Sequence, residues 1–157
     1  MLFRSASNIA LIKYWGKHGE QLPNNPSLSM TLSEAHTITS LDLKKKRSKK
    51  NLELDFLFAG EKNEKFADKL SAFLETLIPQ MPWLAEHRLV LRSNNSFPHS
   101  AGIASSASAM SALALCVMSI QRMRTQQPDN DAAFLQQSSV IARLGSGSAA
   151  RSVYPGF

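Results

Sequence analysis

Apolar residues recur first at every second position, then at helical spacing, then at every second position again before two long helical runs. Ser7 to Trp15 reads as a strand, with Ile9 and Leu11 on one face and Ala10, Ile12 and Tyr14 on the other. Both faces are apolar, so burial on both is expected. Lys13 shares a face with Leu11 and Trp15, and a lysine at the end of such a strand must reach a carboxylate, a polar cavity or the surface. Lys17 follows after one turn signal. Gly19 to Pro26 is rich in turn residues, and Ser27 to Ser33 alternates so as to place Leu28, Met30 and Leu32 inward. Strands follow at His36 to Leu43 and Asn51 to Phe58, which together predict an antiparallel meander.

The period then changes. Phe66, Leu70, Phe73, Leu74, Leu77 and Ile78 fall on one helical face, with Asn63 as N-cap and Pro79 and Pro82 as stops. His87 to Arg92 returns as a strand. From Ser105 a helix runs through Ala107, Met110, Leu113, Val117 and Ile120, apolar nearly all round, which makes it a central helix. Arg122 and Arg124 suit its negative C-terminal end. After the break QQPDN, a further helix spans about Asp131 to Leu144, with Gly145 as its C-cap.

These elements read as an α+β protein, a mostly antiparallel sheet packed with helices, and composition makes it globular. The chain has 157 residues, 43% of them hydrophobic, enough for one domain with a real core. Its net charge of +6 points to anionic partners. Six of the seven residues Lys44 to Lys50 are cations. They form either a grip on nucleic acid or a solvated hairpin tip; the second is preferred because no aromatic residue is interleaved for base stacking. The lone Cys116 lies in an apolar helical run, which reads as a buried thiol in a reducing cytoplasm. No signal peptide is visible, and the longest apolar run, Ala112 to Met118, is far short of the roughly 20 residues that span a bilayer.

Between the strand HRLVLR and the central helix lies a loop of small residues, within NNSFPHSAGIASSASAMS at Asn94 to Ser111. Such a loop lets backbone N–H groups approach a phosphate, and the helix N-terminus behind it favours negative charge. The spacing is not that of the common P-loop, so alone it marks only a candidate nucleotide site.

Three segments, NIALIKYWGK at Asn8 to Lys17, NNSFPHSAGIASSASA at Asn94 to Ala109 and ARLGSGSAARSVYPGF at Ala142 to Phe157, closely resemble the mevalonate diphosphate decarboxylases of the GHMP kinase superfamily. LPNNPSLSMTLS at Leu22 to Ser33 fits the same template. The resemblance implies a GHMP-type ATP-binding N-terminal domain over residues 1–157. It implies an enzyme that uses ATP and Mg2+ to phosphorylate the 3-hydroxyl of mevalonate 5-diphosphate, after which phosphate and CO2 leave to give isopentenyl diphosphate. Carried over, Tyr14, Trp15, Gly16 and Lys17 would hold mevalonate diphosphate together with Ser146, Gly147, Ser148, Ala149, Ala150 and Arg151. Lys13 would lie beside the reacting groups and, with Arg151, act in catalysis. Pro98, His99, Ser100, Ala101, Gly102, Ile103, Ala104, Ser105 and Ser106 would wrap the ATP phosphates, with Ser105 or Ser106 near the transferring group or its metal. No metal ligand is assigned.

These residue types suit the chemistry. An arginine offers a planar fork to a carboxylate, and lysines supply point charges where phosphoryl transfer accumulates negative charge. Ser146 and Ser148 add neutral donors; a lone GSGS would read as a capped helix end. The chain departs from the family in an extra Ser96, in His99 and Ser100, in Ala150 for a cysteine and in Pro155 for a glycine. It is also much shorter than family members, whose second half carries the catalytic aspartate; neither Asp129 nor Asp131 sits in a matching motif. The expectation is an N-terminal portion that lacks full activity and exposes apolar surface near Val153 to Phe157, predicting self-association, with a homodimer as one form. The alternative within the superfamily is a 3-kinase of mevalonate or its phosphate that does not decarboxylate.

Overall fold

The computed structural model describes residues 1–98, 105–128 and 130–154. Strands β1 (Leu2–Ile12), β4 (Leu28–Lys45), β5 (Glu53–Phe58), β6 (Glu61–Lys62) and β7 (His87–Asn95) form one sheet in the order β1-β4-β7-β5-β6. Between β1 and β4, β2 (Lys17–His18) and β3 (Leu22–Pro23) pair as a separate small ribbon. Helices α1 (Glu64–Leu77), α2 (Trp83–Glu86), α3 (Ser105–Arg124) and α4 (Asp131–Gly145) follow, and a 3-10 turn, Ala149–Ser152, ends the described chain.

The architecture is α+β and mostly antiparallel, as expected, but it is not a meander. β7 inserts between β4 and β5, antiparallel to the first and parallel to the second. A parallel pair needs a long crossover, and α1 and α2 supply it. Lys44 to Lys50 is therefore no hairpin tip. Lys44 and Lys45 pair with Arg88 and His87 inside the sheet. Beyond them Lys46 Nζ donates to Ala85 O at 2.6 Å, and the Glu53 carboxylate accepts from Arg47 N at 2.8 Å and Ser48 N at 3.1 Å. Those bonds hold the Glu53 carboxyl below its ordinary range.

The two strands expected at Ser27 to Ser33 and His36 to Leu43 are one strand, β4. Ala6 faces His36 and Asn8 faces Thr31, so residues 32–35 stand opposite Ser7 alone, and this bulge interrupts the hydrophobic alternation without ending the strand. The inward face is also reversed there: Ser29 is buried while Leu28 and Met30 are 42% and 38% exposed. In β1, Ser5, Ser7 and Asn8 are buried while Ile9, Leu11 and Ile12 are exposed, so burial on both faces does not occur. Farther along the same sheet, α3 shows how small side chains come to face inward. Its alanines and serines pack against β1 and β4 with buried Thr37 and Thr39: Thr37 Oγ1 lies 2.7 Å from Ser108 Oγ, and Cys116 Sγ donates to Thr39 O at 3.4 Å.

β1 ends at Ile12, not at Trp15. Residues 13–16 leave the sheet where Gly16 adopts φ +72°, a conformation costly for any residue with a Cβ. The core lies between α3, α1 and the inner faces of β4, β5 and β7, with Leu41, Leu74, Leu84, Leu89, Leu91 and Leu113 fully enclosed. α1 begins as its sequence predicts, with Asn63 Oδ1 accepting from Phe66 N at 3.0 Å. Gly145 belongs to α4, and Ser146 is the cap. The reason for glycine is proximity: a Cβ there would stand 1.9 Å from Met110 Cε.

Candidate active site

The first cluster forms where the chain leaves β1 and where it leaves α4. After Ile12 the segment is pinned by Asn25, whose Oδ1 accepts from Trp15 N at 2.6 Å and whose Nδ2 donates to the Lys13 carbonyl at 3.3 Å. Asn24 packs on Gly16, where a Cβ would lie 2.6 Å from its Nδ2. This turn presents Tyr14 and Lys17 to the 3-10 turn. Lys17 Nζ and Arg151 Cζ each stand 5.8 Å from the Tyr14 ring centroid, so two cations share one aromatic ring. Gly147 closes the group: a Cβ added there would meet Tyr14 Oη at 2.9 Å and Lys17 Nζ at 3.0 Å.

Arg151 is aimed from behind. Its Nη1 donates to Ser27 Oγ at 2.8 Å, while its Nε is buried and has no partner among the described residues. The turn that carries it is bolted to β1 through Ser152, whose Oγ accepts from Asn8 Nδ2 at 2.6 Å and whose carbonyl accepts from Ser5 Oγ at 2.9 Å. Burial multiplies the cost of losing either bond, because the orphaned group cannot turn to water. The structure thus brings Tyr14, Lys17, Gly147 and Arg151 together. Lys13 is exposed, and Trp15 is 78% exposed. Ala149 is buried packing, and Ser146 and Ser148 cap the ends of α4 and the 3-10 turn, Ser148 without a side-chain capping bond.

The second cluster is a cavity of about 200 Å³ where α3 begins. Ser105, Ser106, Asn63 and Asn95 give it polar atoms; Phe56, Phe58 and Phe66 give it an aromatic wall, with the Phe56 and Phe66 rings 5.5 Å apart. The start of α3 is fixed by a relay in which Thr37 Oγ1 donates to Asn95 Oδ1 at 2.8 Å and Ser108 Oγ donates to Ser105 O at 3.2 Å. Ser96, the extra residue of the loop, is tied to β4: its Oγ donates to Glu34 O at 2.7 Å and accepts from His36 N at 3.0 Å. Pro98 is exposed at the loop's start. His99, Ser100, Ala101, Gly102, Ile103 and Ala104 lie outside the described residues, as do Asp129 and Pro155.

Sequence reasoning missed the aromatic wall, Asn8, Ser27 and Ser152. Phe56 and Phe58 alternate on a strand and Phe66 opens a helix, so each reads locally as core. Their convergence depends on strand order. Asn8 carried a usable signal, an amide directly before the apolar run Ile9 to Ile12. Among the described residues no three His, Cys, Asp or Glu side chains converge as a metal site, and no helix is long and apolar enough to cross a membrane. Ser105 and Ser106 on the cavity wall are hydroxyls that could join phosphate oxygens around a Mg2+ ion, which keeps few protein ligands.

Residues 5–157 match the model of the diphosphomevalonate decarboxylase-like N-terminal domain. The diphosphomevalonate decarboxylase of Eremothecium gossypii is 37% identical over 160 residues, covering 96% of this chain and 38% of its own. The crystal structure of mevalonate diphosphate decarboxylase from Staphylococcus aureus superposes with TM-score 0.78 at 36% identity, over 99% of this chain and 44% of that one. A further solved relative, in complex with MVAPP, AMPPCP and magnesium, gives TM-score 0.76 at 37% identity, over 98% and 43%. The chain thus spans less than half the length of these relatives.

Proposed function

Because the chain belongs to the diphosphomevalonate decarboxylase-like N-terminal domain family, we propose that it forms the nucleotide wall and the cationic substrate wall for ATP-dependent decarboxylation of mevalonate 5-diphosphate. The products are isopentenyl diphosphate, ADP, inorganic phosphate and CO2. The observation that carries this is the gathering of Lys17 and Arg151 at one ring, each 5.8 Å from the Tyr14 centroid, beside a glycine that leaves room for Tyr14 and Lys17. A substrate with a carboxylate at one end and a diphosphate at the other needs two fixed cations of different shape. Arg151 takes the carboxylate through its planar fork, and Lys17 meets the phosphates as a point charge. Lys13 stands where the chain leaves β1 and faces the reacting hydroxyl.

On the other wall, the aromatic cavity takes the base of ATP, since purines stack on phenylalanine faces and Asn63 and Asn95 supply polar edges. Pro98 to Ser106 then follows the phosphates to the start of α3. Mg2+, when bound with the nucleotide, shields the charge between the phosphates; the chain's own part is to orient the donor and acceptor. The assignment extends to residues 1–157 as the ATP-binding N-terminal domain of a longer catalytic unit. A buried Cys116 thiol suits a cytoplasmic protein; Val153, expected to be exposed, is buried and only Tyr154 beside it is open, so self-association as a homodimer would rest instead on exposed Leu11, Ile12 and Leu28.

Binding is the direct test. Calorimetric titration of the chain with mevalonate 5-diphosphate should show saturable heat that Arg151→Met removes; an unchanged affinity in that variant would refute the assignment. Where turnover is measured, ADP and CO2 are followed separately, and ADP without CO2 rejects decarboxylation in favour of a kinase.

A further inference from the structure

Lys17 is exposed and sits on a ribbon only two residue pairs long, Lys17 opposite Pro23 and His18 opposite Leu22. A lysine with four rotatable bonds on so short an element would ordinarily sweep a wide volume, and holding it still costs binding free energy when the ligand arrives. Here the side chain is already held. Gln21 Oε1 accepts from Lys17 Nζ at 2.6 Å.

The acceptor is itself fixed by three features. Gln21 adopts φ +62°, the left-handed region that side-chain-bearing residues seldom occupy, and its N–H donates to Gly19 O at 3.0 Å. That tight turn brings residue 21 back over residue 17. Gln21 is half-buried in a hollow that Thr76, Gln80 and Leu144 also line, at the C-terminal ends of α1 and α4. The tip of the ribbon is moored as well, because Arg143 Nη1, in the last turn of α4, donates to the Glu20 carbonyl.

The chemical identity of residue 21 matters as much as its place. A glutamine oxygen takes one of the three ammonium protons and adds no charge, so the full positive charge and two donors stay available. A carboxylate at this position would neutralise the lysine and repel a phosphate. Resting on the substrate wall assigned above, we propose that Gln21 is a positioning residue, which holds the Lys17 ammonium beside Tyr14 and Gly147 in readiness for the diphosphate of the substrate without neutralising it.

The test is a double-mutant cycle in the intact chain, read by titration with mevalonate 5-diphosphate. Gln21→Leu should weaken binding by about two- to tenfold, the range for freeing one long side chain. Gln21→Glu, which keeps the shape, should weaken it at least as much, with the loss relieved by added salt. In a Lys17→Met background Gln21→Leu should have no further effect, which a merely structural role would not produce, while Gln21→Glu should keep only the salt-sensitive part of its loss, the direct repulsion of the diphosphate. A second signal needs no ligand: the Lys17 ammonium resonance in 15N-lysine-labelled chain should be retained in Gln21→Glu and lost to fast exchange in Gln21→Leu. Equal losses from Gln21→Leu with and without Lys17 overturn this inference and leave the substrate wall intact. No binding by the unsubstituted chain, or no effect of Lys17→Met, overturns both.

Discussion

Gly147→Ala isolates the substrate wall with a single methyl group. Built on the existing backbone, the new Cβ lies 2.9 Å from Tyr14 Oη and 3.0 Å from both Cε and Nζ of Lys17. Ordinary contact begins near 3.4 Å, so both side chains must retreat by several tenths of an ångström, and both can, because the atoms met are the far ends of flexible groups. The fold should survive with little change in thermal midpoint. The ammonium would lose its registration on the ligand, and a charge-assisted hydrogen bond contributes about 1.5–3 kcal/mol. Mevalonate 5-diphosphate should therefore bind about ten- to a hundredfold more weakly by calorimetry. Gly145→Ala, two residues away, is the control: its Cβ would stand 1.9 Å from Met110 Cε and 3.3 Å from the Phe73 ring. That is overpacking inside the protein, which typically costs about 1–3 kcal/mol of stability. Unchanged affinity in Gly147→Ala, or a large drop in its melting temperature, would refute the geometry of the cluster.

Three further outcomes follow from buried polar groups. Asn8→Ala leaves Ser152 Oγ without its donor and should lower unfolding free energy by about 1–3 kcal/mol in urea titrations. Ser138 is fully buried with no hydrogen-bond partner for its Oγ among the described residues, so Ser138→Ala should leave stability unchanged or raise it, by up to about 1–3 kcal/mol in the same assay. Burial pushes the Cys116 thiol from 9.0 up to about 12, so the folded state keeps its proton where the unfolded chain loses it. The resulting stabilisation is complete below pH 9.0 and is lost as pH rises from there to about 12; Cys116→Ala should flatten that alkaline decline.

The sequence revealed those parts of the fold that are decided locally. Asn63 sits at the head of a helical face, and a cap is a contact between near neighbours in the chain, so α1 was legible at its first residue. α3 was legible because no polar stripe interrupts it. Strand order was less accessible, since β7 reaches its place between β4 and β5 through pairings with residues 35 to 58 positions away, and the alternation of successive strands suggested only a meander. The inward face of β4 near Ser29 was misjudged for another reason. Alternation says which residues share a face but not which face the helices cover, and serines and threonines on this sheet prove to be the buried set.

The candidate site divides in the same way. Tyr14, Lys17, Gly147 and Arg151 carried a recognisable resemblance and converge in space. Gln21, Ser27 and Ser152 lie in or beside the same segments, yet their parts are settled only by turns whose geometry no periodic pattern encodes. The aromatic wall of Phe56, Phe58 and Phe66 belongs to three elements that meet only once the sheet is assembled.

One cross-strand pair joins the two walls. Ser5 and Thr37 face each other across β1 and β4, and Ser5 bonds the turn that carries Arg151 while Thr37 bonds Asn95 and Ser108 beside the start of α3. The span from one wall to the other is therefore measured in strand spacings of about 4.8 Å, which the hydrogen-bonded ladder holds nearly constant. Ser96 is absorbed outside this frame, tied to β4 at Glu34 and His36. A one-residue slip of β1 along β4 would turn its buried side chains to the opposite face and break that alignment at once, so the ruler between the two walls is the register of two strands.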